Sequence, residues 1–195
     1  MITQATTSLA VLAALTVTAM AEPQRYELDP THTTIAFLID HIGYAGTLGV
    51  FTDIEGGFTY DMETQELSAV TVTVQTASVN SFKEARDGHV RNTDFLSVDA
   101  HPTMTFTATG GTPSSDTTGT VEGELTLLGE TRPLTLEVTL NKAEPYPFGH
   151  KRFTLGLTAR GSLNRSEFGM GYGVENGLVG DTVDLIIEAE AMQIE

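Results

Sequence analysis

A chain of 195 residues, 40% of them hydrophobic, is long enough for one domain with a sizeable core. A formal net charge of −16 excludes nucleic acid and anionic headgroup surfaces as natural partners, because both repel a polyanion; the charge is read as a solubilising surface. The absence of cysteine excludes disulfides, thiol catalysis and thiolate metal sites.

The first 21 residues stand apart. Positions 1–21 contain no Asp, Glu, Lys or Arg, and Leu9 to Val17 form an apolar run. Ala19-Met20-Ala21 offers an A-x-A cleavage site just before the polar Glu22-Pro23-Gln24-Arg25. The run is short for a membrane span of about 20 residues, so 1–21 is read as a cleaved secretory signal peptide, with no stable membrane insertion. The domain is then 22–195.

The domain itself reads as a series of strands. Tyr26 and Leu28 mark a short one before the turn pair Asp29-Pro30. Thr33 to Ile39 alternates, with Ile35, Phe37 and Ile39 on one face and Thr34, Ala36 and Leu38 on the other. Glycines at 43, 46 and 49 lead into a second strand, Thr47 to Ile54, where Leu48, Val50 and Ile54 are assigned to the apolar set. Glu55-Gly56-Gly57 reads as a turn, Phe58-Tyr60 as a third strand, and Asp61 to Glu66 as its interruption. Leu67 to Thr76 sets Val70, Val72 and Val74 against Thr71, Thr73 and Gln75, an apolar face and a wet one.

The period then changes. Ser81-Phe82-Lys83-Glu84 has capping-box spacing and predicts a helix over Glu84 to Arg91, stopped at Asn92 and capping an open end. Strands resume at Thr103 to Thr109, with Met104, Phe106 and Ala108 inward, and lead to a polar loop over 110–119. Thr120 to Leu128, a turn at Gly129-Glu130, and Pro133 to Leu140 form a hairpin. Arg152 to Ser162, a glycine-rich segment over 165–177, and Thr182 to Ala191 complete the chain. About eight or nine strands at hairpin spacing predict an all-β fold: one antiparallel barrel of about eight strands with one short helix. A two-sheet sandwich is the alternative. An outer-membrane barrel is disfavoured, because only 7% of residues are aromatic and tryptophan is absent.

No G-x-S-x-G elbow or P-loop occurs. Asp29, His32, Asp40 and His41 offer metal ligands or an acid/base pair, set against the plainer role of bonding backbone at turns. Arg86, Asp87 and His89 read as an ion pair fixing the helix. Arg165 is a head-group candidate for a phosphate or quinone oxygen, or else a partner for Glu167 or Asp94 closing the barrel end. The one-faced strands offer a tube for a long apolar molecule. Its lining is assigned to Ile35, Phe37, Ile39, Val72, Val74, Met104, Phe106, Leu125, Leu127, Leu136, Phe153, Leu155, Phe168, Leu185 and Ile187, with Ala36, Ala108, Gly123, Ala159 and Ala189 leaving room. No catalytic residue and no metal ligand is assigned. The alternatives are a metal- or His-dependent enzyme, and an exported stress or interaction protein with a filled interior.

Four blocks carry a resemblance. They are Asp29-Pro30-Thr31-His32 with Ile35, Phe37, His41, Gly43, Gly49 and Phe51; Arg86-Asp87, His89, Asp94-Phe95, Pro102 and Thr105-Phe106; Leu125 to Leu136, with its L-T-x-x-G-x-T-x-P core; and Arg165 to Met170 with Val179-Gly180-Asp181. In this order and spacing the chain resembles the YceI-like family of exported bacterial proteins that bind polyisoprenoid lipids. Departures are conservative: Thr33 for a usual Ser, Glu167 for a frequent Asp, Leu96 for a common Phe. The resemblance implies a lipocalin-like barrel, periplasmic and often a homodimer, that holds a polyprenyl phosphate or quinone without catalysis and without a cofactor besides that lipid.

Overall fold

The computed structural model describes residues 22–194; the expected signal peptide, 1–21, lies outside the described residues. Its strands are β1 (Gln24–Leu28), β2 (Thr34–His41), β3 (Ala45–Phe51), β4 (Ile54–Tyr60), β5 (Leu67–Gln75), β6 (Val79–Asn80), β7 (Thr103–Ala108), β8 (Thr112–Pro113), β9 (Thr118–Leu127), β10 (Glu130–Pro145), β11 (Phe153–Asn164) and β12 (Val179–Gln193). β12 pairs with both β1 and β2, which are two halves of one wall strand broken at 29–33. β3 and β4 form the next wall strand, β3 lying on β2 and β4 on β1. With β5 and its continuation β6, β7, β9, β10, β11 and β12, they close an eight-stranded antiparallel barrel. Among the described residues, closure gives each wall strand neighbours on both sides, although β3 meets β6 only at Val50 and Phe51.

Register corrects one face. β2 and β3 pair Ile35 with Phe51, Phe37 with Gly49 and Ile39 with Thr47. The inward row of β3 is therefore Thr47, Gly49 and Phe51, not Leu48 and Val50. Leu48 stands outside opposite Leu38 and is 44% exposed; Ala36, opposite Val50, is on the outer face too. The turn fixes register, and a one-residue slip exchanges faces. Here the inward row is the less apolar one, so composition misleads. Glycine at 49 leaves room for the Phe37 ring to lie over it: a Cβ there would come within 2.2 Å of the ring tip unless the ring moved.

Gly56 and Gly57 are not a turn; β4 runs through them. A Cβ on Gly56 would meet the Thr71 carbonyl oxygen at 2.2 Å, and one on Gly57 the Tyr26 carbonyl oxygen at 2.3 Å. These glycines permit close strand approach at a bulge, where pairing slips between Gly57 and Thr59. The segment 110–119 is a hydrogen-bonded hairpin rather than an open loop, β8 pairing with the start of β9.

The helix, α1, spans Glu84–Arg91 and ends at Asn92, as expected. The capping box does not form. Lys83 is the N-cap, and Ser81 instead donates its amide and hydroxyl to Asp87 while accepting from Arg86. Arg86 and Asp87 thus close on Ser81 rather than on each other. Arg91 donates to the carbonyls of Ala77 and Val79, fastening the helix end to β6.

Candidate functional site

The inner faces enclose a cavity of about 630 Å³, within the range of roughly 300–1,000 Å³ usual for small-molecule sites. Ile35, Phe37, Ile39, Val72, Val74, Met104, Phe106, Leu125, Leu127, Leu136, Leu155, Leu185 and Ile187 line it. Phe153 and Phe168 do not. Alternation carries Phe153 inward, but it packs into a second core of Tyr26, Leu155 and Ala191, where Tyr26 stacks on Phe58 with ring centroids 5.5 Å apart. Phe168 ends a 3-10 turn, Arg165–Phe168, and is buried in the main hydrophobic cluster alongside inner-face side chains. A glycine-rich loop has no period from which its direction can be read.

Phe51, Val70, Val121, Leu134, Leu163 and Val183 also line the cavity, although the sequence did not assign them to it. Most obey the same alternation as their assigned neighbours. Phe51 was hidden by the register of β3, and Leu163 lies on a part of β11 beyond the expected strand end. Polar lining gathers at the two ends: Gln65 with Thr112 and Ser115 to Thr118 at one, Asp40, His41, Ser81, Arg86, His89 and Arg165 at the other.

Arg165 is 1% exposed. Its Nε donates to the Gly180 carbonyl at 2.8 Å, Nη1 to Met170 at 2.7 Å, and Nη2 to Tyr172 at 2.8 Å and Val179 at 3.0 Å. The guanidinium also lies 5.6 Å from the Phe95 ring centre. Burial pushes its pKa down, and the Asp181 carboxylate opposes that. It closes the barrel end, but through carbonyls instead of Glu167 or Asp94. Asp94 is taken by His89 at 2.9 Å, and Glu167 accepts from Asn164. Arg165 therefore pins the β11–β12 loop against the first residues of β12, with most of its donors committed to protein.

The histidine group suggested by sequence comes apart. His32 lies in the turn before β2 and His41 at its far end, the strand alone spanning about 23 Å at about 3.3 Å per residue. Asp40 accepts from the Gly43 amide in the β2–β3 turn. His32 instead meets Asp29, Nδ1 to Oδ2 2.8 Å, and Glu190, 3.7 Å from Oε2. Among the described residues, this trio alone brings three possible metal-ligating atoms within 4.8 Å of one another. Asp29 also accepts from the amide and hydroxyl of Thr31. The trio reads as an ionic clip joining the β1–β2 break to β12. Glu190 was invisible to sequence reasoning because it is one of several acids on the wet face of the last strand.

Burial pushes the Asp29 carboxyl up, but hydrogen bonds from His32 and Thr31 outweigh it and hold the group at about 2, below the ordinary 3.8. The hydrogen bond to Asp29, then the charge of Glu190, raises His32 above its ordinary 6.5. Asp29 thus contributes stability above pH 3.8 that is lost as pH falls towards 2. His32 contributes stability below pH 6.5 that is lost as pH rises through its raised pKa. A His32→Gln variant should therefore melt below the parent at about pH 6, with the gap closing by about pH 9. A gap that stays constant over that range would rule out a charged clip.

Residues 26–191 match the YceI-like domain model. The chain is 35% identical over 175 residues to Protein YceI of Shigella flexneri, covering 90% of this chain and 89% of that one. The crystal structure of the Campylobacter jejuni YCEI protein superposes with a TM-score of 0.72 at 26% identity, covering 80% of this chain and 90% of that one. A polyisoprenoid binding domain from Saccharophagus degradans shares the fold, with a TM-score of 0.63 at 16% identity over 87% of this chain and 98% of that one. A closed barrel around an apolar cavity, bearing these matches along its length, places the chain in the YceI-like family.

Proposed function

We propose that the protein is a periplasmic carrier of a long isoprenoid lipid, of the polyprenyl phosphate or quinone type, held in the barrel cavity. The observation that carries this reading is the cavity itself: about 630 Å³, walled by aliphatic and aromatic side chains from all eight wall strands, with polar groups gathered at its ends. Burying apolar surface yields about 0.8 kcal/mol per CH₂-sized unit, so a chain of several isoprene units supplies the driving force, less the cost of ordering it. No reactive group is needed; excluding water is enough. The Saccharophagus degradans domain, described as polyisoprenoid binding, supports the ligand class.

Protein purified from its native host without detergent, extracted with organic solvent and read by mass spectrometry, should yield an isoprenoid. Repeated extraction of well-folded protein with none would sink the proposal. A Phe37→Asp variant, with a charge in the cavity wall, is expected to lose at least about tenfold of the bound lipid. Full retention would show that the inner face does not hold it.

A further inference from the structure

The two ends of the cavity differ. One is rimmed by Gln65 and the hydroxyl-rich β8–β9 hairpin. At the other, Ile42, Tyr172 and Leu178 line the cavity and are also exposed to solvent. Three pieces of chain bring them there. Ile42 is in the β2–β3 turn. Leu178 precedes Val179, which pairs with His41 at the base of that turn. Tyr172, from the β11–β12 loop, sets its ring against His89 of α1, centroids 5.1 Å apart. Beyond this rim the same hairpin carries Tyr44, 89% exposed, and the outward pair Leu38 and Leu48.

Apolar side chains thus stand on the outside of the hairpin, at the rim and in the cavity, with the exposed Asp40 and His41 between them. We propose that the β2–β3 hairpin docks on a lipid surface with uncharged or zwitterionic headgroups, and that the chain enters between Ile42, Leu178 and Tyr172. This rests on the protein's being a lipid carrier. Two observations select the occupant. The net charge of −16 disfavours an anionic surface. A second copy seated on the hairpin tip would cover the apolar way in, whereas a bilayer supplies what must pass through it. An exposed tyrosine beside aliphatic side chains suits the headgroup boundary.

The test uses phosphatidylcholine vesicles and a decaprenyl quinone as probe. Tyr44→Ser/Leu48→Ser changes the docking face without touching the cavity lining. The parent should float with the vesicles and move quinone from donor to acceptor vesicles. The double variant should stay at the bottom of the gradient and transfer about tenfold more slowly, while binding quinone in detergent as the parent does. Met62→Ser/Phe148→Ser, exposed side chains away from the hairpin, should behave as the parent. Equal flotation and transfer by parent and Tyr44→Ser/Leu48→Ser would overturn the proposal. So would a parental dimer that this variant splits without slowing transfer, since the hairpin would then hold a second copy. If the parent takes up no quinone in detergent, the carrier reading fails, and flotation alone decides whether the hairpin docks.

Discussion

Arg165→Met is expected to cost about 3–5 kcal/mol of stability. The substitution fills much of the same volume but strips four carbonyl oxygens, those of Met170, Tyr172, Val179 and Gly180, of their donor. Each buried acceptor left unpaired costs about 1–3 kcal/mol, and the four will not add fully because they share one donor group and only the Met170 bond is fully buried. Arg165→Lys should recover little: one ammonium cannot reach the fan of acceptors that a planar guanidinium spans. Thermal or urea unfolding reads the loss. The same experiment separates the pin from a head-group ligand. A pin leaves lipid per folded molecule unchanged well below the melting point. A head-group ligand would show the reverse, a several-fold fall in bound lipid with little change in melting and partial rescue by lysine.

The second large effect concerns two glycines beneath aromatic rings. A Cβ at Gly123 would stand 2.4 Å from the tip of the Phe106 ring and 2.4 Å from the Thr107 carbonyl oxygen. The ring can swing; the backbone oxygen cannot. Gly123→Ala should therefore force β7 and β9 apart and cost about 3 kcal/mol, the upper part of the overpacking range. At Gly49 the nearest atoms all belong to the Phe37 side chain. Gly49→Ala can be accommodated by tipping that ring into the cavity, at about 1 kcal/mol. Its stability cost is small and its effect on the ligand large: bound isoprenoid should fall several-fold in protein that still melts near the parent. Paired melting curves and lipid extractions test both. Equal melting losses at the two positions would show that backbone and side-chain obstacles are not distinguishable here.

Barrel and helix were legible in the sequence because each strand carries its own period and α1 its own stop. Residues 84–91 and most of the lining came from local pattern alone. The failures share one cause, pairing between distant segments. Leu48 and Thr47 cannot be assigned to faces without the register that Ile39 imposes on Thr47. Gly56 and Gly57 look like a turn until the carbonyls of Thr71 and Tyr26 are brought against them. Ser81 looks like a cap until Asp87 claims its hydroxyl. Arg165 stands out in the sequence, but its partners are main-chain carbonyls, which leave no trace in the amino-acid pattern. The Asp29–His32–Glu190 clip joins residues at the two ends of the domain, beyond the reach of any local spacing.

β12 pairs with β11 on one side and with both β1 and β2 on the other, bringing Gln193 opposite Tyr26. This has a kinetic side. The first wall strand cannot acquire its second neighbour until the last strand of the domain exists, so ring closure spans nearly the whole chain. Contacts of such high sequence separation slow folding, because loop entropy must be overcome before they form. Until then β1 and β2 present an unpaired edge, and the nascent domain is at its most vulnerable to association with other chains. The barrel is accordingly a structure completed only once the entire domain is available.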